Sequence, residues 1–208
     1  VHTGDFKLDQ TPVDNRLTNM DRLREIASGS GVRLLMADST NADSPGHSES
    51  ESSIGRTFER IFPAYSGKRM IIGCFASHLH RIQQIVDVAI REGRKIFPLG
   101  RSMVNNVRIA QQLGILNLSS RDVYSIEDVD QFAPSEICIV YTGSQGEPNA
   151  ALSLLASNNH RDLRVTSEDV VILSSHPIPG NERAVYRIID RLTRMGCEVV
   201  HDGHELVH

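Results

Sequence analysis

The sequence predicts an α/β domain of the doubly wound kind, with a mostly parallel sheet and helices on both faces. Three observations predict it. Short apolar runs rich in β-branched residues recur along the chain, separated by stretches whose apolar residues repeat with period 3.6. The runs are apolar throughout rather than alternating, as strands buried on both faces must be. Strand and helix patterns also alternate, the order that crossover connections between parallel strands require.

From the amino end, a helical pattern over 18–28 precedes the first strand candidate, 33–37 (RLLMA). Residues 41–53 are rich in Ser, Glu and Asp and read as a loop running into the start of a helix over 51–63. Next come a strand at 70–75 (MIIGCF) and a helix over 79–92 with the clearest stripe, Leu79, Ile82, Ile85, Val86, Ala89 and Ile90. Strand 95–99 leads to helix 102–113, strand 137–141 to helix 148–157, and strand 170–173 to helix 182–195, with a last strand at 198–201.

The 208 residues, 39% hydrophobic and 23% charged, are enough for one ample core or two small ones. No apolar run approaches the roughly 20 residues of a spanning helix, and the first residues lack the basic and apolar regions of a signal peptide, so a soluble cytoplasmic protein is expected. Cys74, Cys138 and Cys197 each sit in a strand-like run without C-x-x-C spacing and are expected to be reduced core residues. A net charge of -4 argues against coating nucleic acid by bulk electrostatics, so any phosphate binding must be local. The chain opens on VHTGDF without an initiator Met and stops on HELVH, which reads as a piece of a longer protein.

Chemistry concentrates in the turns after the strands: Asp38-Ser39-Thr40-Asn41, Ala76-Ser77-His78, Gly100-Arg101-Ser102, Thr142-Gly143-Ser144-Gln145-Gly146-Glu147 and Ser174-Ser175-His176-Pro177. In an open parallel sheet such turns line the carboxyl edge, where ligands bind, and each opens a helix whose N–H groups and positive dipole end favour an anion. Gly admits close backbone approach, Ser and Thr donate from short side chains, and Arg101 can grip a phosphate twice. Each turn also has a plain structural reading: Ser77 as an N-cap, Pro148 in a first helical turn, Asn181 before Glu182 as capping chemistry, Asp38 as a turn residue. Dinucleotide and P-loop fingerprints are absent, and Gly143-Ser144-Gln145-Gly146 lacks the spacing of a nucleophile elbow. His201, Asp202, His204 and His208 have a spacing that could seat zinc, yet Asp202-Gly203 is a strong turn dipeptide that favours two histidines flanking a turn.

Six longer words appear in succession: Val1 to Val13 (VHTGDFKLDQTPV), Asp38-Ser39-Thr40-Asn41-Ala42, Phe75 to Arg81 (FASHLHR), Gly100-Arg101-Ser102-Met103, Thr142 to Pro148 (TGSQGEP) and Pro177 to Glu182 (PIPGNE). Together they resemble ribonuclease J over the whole chain. The resemblance implies a β-CASP domain over 17–200, with short stubs of a metallo-β-lactamase core at both ends, 1–16 and 201–208. It implies two divalent ions, zinc or manganese, in a full-length enzyme; of their ligands only Asp5 matches here, as the carboxylate that bridges both ions. A carboxylate with two oxygens suits that task.

The resemblance makes Asp38 the catalytic acidic residue of the first β-CASP motif, partnered in the family by a later histidine that lies outside this sequence. His208 matches the first histidine of a phosphate-holding run. RNA is the implied partner, its 5′-monophosphate held on the β-CASP side by the polar turns, with Ser77, His78, Arg101, Ser102, Ser144 and Gln145 as candidates because they offer donors. Where His78 stands, relatives carry Asn, so phosphate affinity that depends on pH is expected. The whole enzyme would cleave RNA as a 5′-to-3′ exonuclease and endonuclease and assemble as a homo-oligomer; this chain alone is expected to be inactive, monomeric and away from membranes. The alternatives are a DNA-acting β-CASP nuclease and a non-catalytic nucleotide-binding module.

Overall fold

The computed structural model describes residues 1–43, 45–143, 145–147 and 149–208. It divides into two compact units, Val1–Ser53 and Ile54–His208.

The first unit has little regular structure. Its one helix, α1 (Met20–Ser28), is capped by Asn19, whose side chain accepts from the Arg22 amide, and buries none of its residues. The expected strand at 33–37 is corrected to a single parallel bridge, His2 to Met36. Only Val1 to Thr3 lies beside the run, through Met36 N to Val1 O at 2.9 Å and Thr3 N to Met36 O at 3.0 Å. Leu34 and Leu35 are each 61% exposed, so an apolar run that reads as a core strand has no second neighbouring strand among the described residues. Helix α2 (Glu51–Ala64) begins in this unit. The Asp9 carboxylate holds that start, taking the Glu51 N–H at 2.9 Å and the Ser50 hydroxyl at 3.0 Å, with Thr11 N–H at 2.9 Å on its other oxygen. These bonds, that from Thr11 first, keep the Asp9 carboxyl below its usual range.

The second unit is the sheet. Strands β1 (Arg69–Gly73), β2 (Lys95–Leu99), β3 (Ile137–Tyr141), β4 (Asp169–Leu173) and β5 (Glu198–His201) pair in the order β2-β3-β1-β4-β5, every pair parallel. The doubly wound expectation holds, and the sheet is wholly parallel. Alternate residues of each strand feed opposite cores. Met70, Ile72, Cys138, Val140, Val170 and Ile172 pack with α2, α3 (Leu79–Arg91) and α4 (Arg101–Gln112) on one face. Ile71, Ile139, Tyr141, Val171 and Leu173 pack with α5 (Ala151–Ala156) and α6 (Glu182–Arg194) on the other.

Between α4 and β3 the chain makes three short 3-10 turns, Ser120–Asp122, Ile126–Gln131 and Pro134–Glu136. The amino edge is stapled by charge. Arg69 and Asp169 pair in register through two bonds of 2.7 Å. Buried Arg94 donates to the carbonyls of Lys68, Ile137, Tyr65 and Ser66 at 2.8 to 3.1 Å, and burial holds its pKa below the usual arginine value.

All three cysteines are buried and unbridged, as the sequence suggests. Burial pushes the Cys74 and Cys138 thiols from 9.0 up to about 12. Both pKa values are raised on folding, so the stabilisation is complete below the unfolded value and drains away as pH rises toward the folded one. Urea midpoints should therefore fall from about pH 9 upward, and neither thiol should react with a thiol reagent until urea is added. A thiol that titrates fast in the native chain at about pH 8 would contradict this burial.

Candidate functional site

Parallel pairing without offset brings the strand ends to one line. Leu99 is opposite Tyr141, Tyr141 and Leu173 are opposite Gly73, and His201 is opposite Leu173. The turns after all five strands of the sheet therefore share its carboxyl edge, the ligand-binding edge of open α/β sheets. Four of the five polar turns expected from the sequence lie there; the fifth, at Asp38, belongs to the first unit. The turn after β5, at Asp202-Gly203-His204, joins the edge in addition.

A crevice of about 390 Å³ opens at the ends of β1 and β3, lined by Cys74 to Ser77, Ser102, Asn106, Thr142, Gly143, Gln145, Glu147 and Ala150. It gathers Ser77, Ser102 and Gln145 from the expected phosphate set, with the N-terminus of α4 on its rim, while His78 and the N-terminus of α3 border a separate hollow that shares Ser77. Asn106 Nδ2 ties the wall together by donating to Ala76 O at 2.9 Å. Gly143 makes the turn possible: its φ is +92°, and a Cβ there would lie 2.1 Å from that of Ala150. Glu147 is the one carboxylate among these lining residues. Arg101 is exposed as the first residue of α4, next to Ser102. Ser144 lies outside the described residues.

Two candidates have local duties. Ser77 does not cap α3; His78 does, its Nδ1 accepting from the Arg81 amide at 3.2 Å. With Nδ1 an acceptor in this cap, the ring proton sits on Nε2. Gln145 is 4% exposed, and both ends of its amide are engaged: Nε2 donates to His176 O at 2.9 Å and Oε1 accepts from Ile178 N at 2.7 Å. It clamps the β4–α6 turn against the β3–α5 turn.

Several residues that the sequence did not mark as site residues organise this edge. Arg81 is 1% exposed and reaches from α3 to Ser174 Oγ at 2.5 Å, Ser174 O at 3.2 Å and Val207 O at 2.9 Å. It binds the last segment of the chain to the end of β4 and so fixes the residue before His208. The His208 ring stacks 6.1 Å from that of His176 at 28°, and His176 Nδ1 bonds Asp202 Oδ2 at 2.5 Å. Asp202 follows His201 in a turn closed by His204 N to His201 O at 2.9 Å, with the His201 and His204 rings 4.4 Å apart. These histidines flank a turn, as the Asp202-Gly203 dipeptide indicates.

In the first unit, Gly4 adopts φ +61° and leads into an exposed Asp5. Asp38 lies at the same end of the His2–Met36 bridge, its N–H donating to Thr3 Oγ1 at 3.2 Å. Its Oδ1 accepts from Thr40 N at 3.0 Å and Thr40 Oγ1 at 2.7 Å, bonds that keep its carboxyl below the usual range and give it the turn role of the plain structural reading. Both acidic candidates thus follow the same short pairing, Asp5 on one strand and Asp38 on the other. Among the described residues no three His, Cys, Asp or Glu side chains converge to hold a metal ion. One exposed carboxylate does not fit a pair of divalent ions, which need several ligands each.

No helix among the described residues is long and apolar enough to cross a membrane. A family model described as "Ribonuclease J, beta-CASP domain" matches residues 67–192. The chain is 44% identical along its full length to a ribonuclease J of Mycolicibacterium smegmatis, covering 37% of that protein. It is 43% identical to one of Thermus thermophilus, covering 36% of it, and 39% identical to one of Helicobacter pylori, covering 30%, again over the whole chain. The chain therefore spans about a third of the length of the curated relatives it matches.

Proposed function

The chain belongs to the ribonuclease J family and carries its β-CASP domain, and on that premise we propose that the carboxyl edge of its sheet binds single-stranded RNA, taking the 5′-monophosphate in the crevice at the ends of β1 and β3. The observation that carries this reading is the crevice itself: the N-terminus of α4, the Ser77 and Ser102 hydroxyls and the Thr142 turn border one cavity, with exposed Arg101 at the start of α4. Backbone N–H groups and hydroxyls at helix starts suit phosphate oxygens, and a guanidinium adds a bidentate contact. With a net charge of -4, affinity rests on such local contacts rather than on the field of the whole chain.

In the longer protein, this edge would hand the RNA to a metallo-β-lactamase core that hydrolyses phosphodiesters, from the 5′ end and internally, in the cytoplasm. Residues 1–16 and 201–208 are its connections to that core, 17–200 the β-CASP domain proper, and Asp38 and Asp5 its contributions to proton transfer and to a zinc or manganese pair. The complete enzyme would be a homo-oligomer, and this chain alone would bind RNA without cutting it.

The test is fluorescence anisotropy with one oligoribonucleotide carrying either a 5′-monophosphate or a 5′-hydroxyl, and a DNA of the same sequence. The 5′-phosphorylated RNA should bind several-fold more tightly than the 5′-hydroxyl form. Arg101→Ala should remove roughly tenfold in affinity for it, about 1.4 kcal/mol, within the range of a charge-assisted hydrogen bond. Equal affinity for the two RNA ends would remove the 5′-phosphate pocket; a preference for DNA would favour a DNA-acting nuclease.

A further inference from the structure

His176 occupies the carboxyl edge but belongs to none of the sequence words that mark the family, and its environment is built from two sides. Its backbone carbonyl is held by the buried amide of Gln145, whose other end fixes Ile178 two residues on. Its ring is held by Asp202, from the turn after the neighbouring strand β5. A surface histidine is ordinarily a rotamer ensemble; this one is fixed at main chain and side chain while the side chain stays 68% exposed.

The tautomer is set by the partner. A carboxylate only accepts, so the proton of the His176 to Asp202 bond sits on Nδ1. In the neutral ring Nε2 then carries a lone pair, which repels a phosphate oxygen; in the imidazolium it carries a second N–H, which donates to one. The Asp202 carboxylate accepts from Nδ1 in either form of the ring and so fixes the direction in which Nε2 points. The ionisable groups facing the ring are Asp202, His201 at 3.7 Å from the other Asp202 oxygen, and His208, whose ring is stacked 6.1 Å away. His208 comes from the segment pinned by Arg81 through Val207, so it too is held in place. The arrangement is the reverse of that at His78, whose Nδ1 accepts.

We propose that His176, oriented by Asp202, is a phosphate contact on the RNA path, engaging a backbone phosphate oxygen through Nε2 only in its imidazolium form. Asp202 and Gln145 are positioning residues. This rests on the RNA-binding reading above, and deepens it by assigning the pH dependence of affinity to one ring.

The experiment measures the dissociation constant of a 5′-phosphorylated oligouridylate on this chain from about pH 8 to about pH 5.5, the span over which imidazole charges. Affinity of the unsubstituted chain should rise roughly three- to tenfold as pH falls, the gain of one charge-assisted hydrogen bond. His176→Gln should keep the affinity seen at the alkaline end and lose most of that rise. Asp202→Ala, which removes the acceptor that orients the ring, should reduce the rise. A rise of full size retained in His176→Gln overturns the proposal while RNA binding stands. A flat profile in the unsubstituted chain does the same. Absence of binding at every pH overturns the RNA-binding reading itself, and this proposal with it.

Discussion

Gly73→Ala should destabilise the second unit by about 3 kcal/mol or more, at or beyond the upper end of ordinary overpacking, and Gly73→Val should leave it unfolded. Gly73 ends the central strand, and a Cβ there would lie 2.4 Å from Cζ of Tyr141 and 2.5 Å from its Cε2 and Oη. No side chain tolerates such a distance, and the ring that would have to move is fully buried beneath the sheet. Strand β1 cannot yield either, because Gly73 is paired on both sides, with Tyr141 and Leu173. Denaturation midpoints check this directly. Tyr141→Phe should not rescue Gly73→Ala, since Cζ remains, whereas Tyr141→Leu, which removes the ring, should recover part of the loss in a double-mutant cycle. A Gly73→Ala chain with an unchanged midpoint would show that the ring has room that the structure denies it.

Arg81→Met should cost about 3 kcal/mol and loosen the end of the chain selectively. The guanidinium is buried against Ser174 and Val207. Methionine can fill the stem but donates nothing, and each buried acceptor left unsatisfied costs about 1–3 kcal/mol. The Ser174 hydroxyl keeps its own bond to Val207 O, so the segment should loosen rather than dissociate entirely. Arg81→Lys should recover part of the loss, because all three contacts leave the one nitrogen Nη1 and an ammonium also carries three donors on one atom. Urea denaturation reads the stability. Amide exchange in 202–208 reads the local effect, which should exceed that in β1 to β3. Uniform exchange changes across the sheet would assign Arg81 to the core at large rather than to this anchor.

The sheet was legible because its strands are buried on both faces, and such strands advertise themselves as unbroken apolar runs: ICIVY, VVIL and MIIG all became strands. The same rule misread RLLMA, which has the composition of a core strand but, in this chain, one short neighbour on one side. The 3-10 turns of residues 120–136 were invisible for another reason: each is too short to carry a periodic stripe, and two of them start from serines, Ser119 and Ser125, that cap them through hydroxyls rather than by pattern. At the site, donors could be read from the turns, but not what each donor already holds. Gln145 looked like a ligand group and its amide is engaged at both ends; Ser77 looked like the cap and the next residue is. Arg81 sits in an otherwise ordinary helix sequence, where a charge reads as a solvated face. His176 and Asp202 are 26 residues apart, and only the pairing of β4 with β5 brings their turns together.

The strand order has a further consequence, in the time domain. The central strand β1 is made first, yet its neighbours arrive much later: Met70 pairs with Cys138 on one side and with Val170 on the other. A chain emerging from the ribosome thus carries an apolar strand with two open edges for about 70 residues of synthesis and with one for about 100, and at about 5–20 residues per second that lasts several seconds. No local hairpin can shelter it, since parallel partners must be brought across long loops before any pairing rewards the closure. The most stable part of the finished sheet is in this sense the most exposed part of the nascent one, and what protects β1 in that interval must come from α2 and α3, the helices on either side of it in the chain.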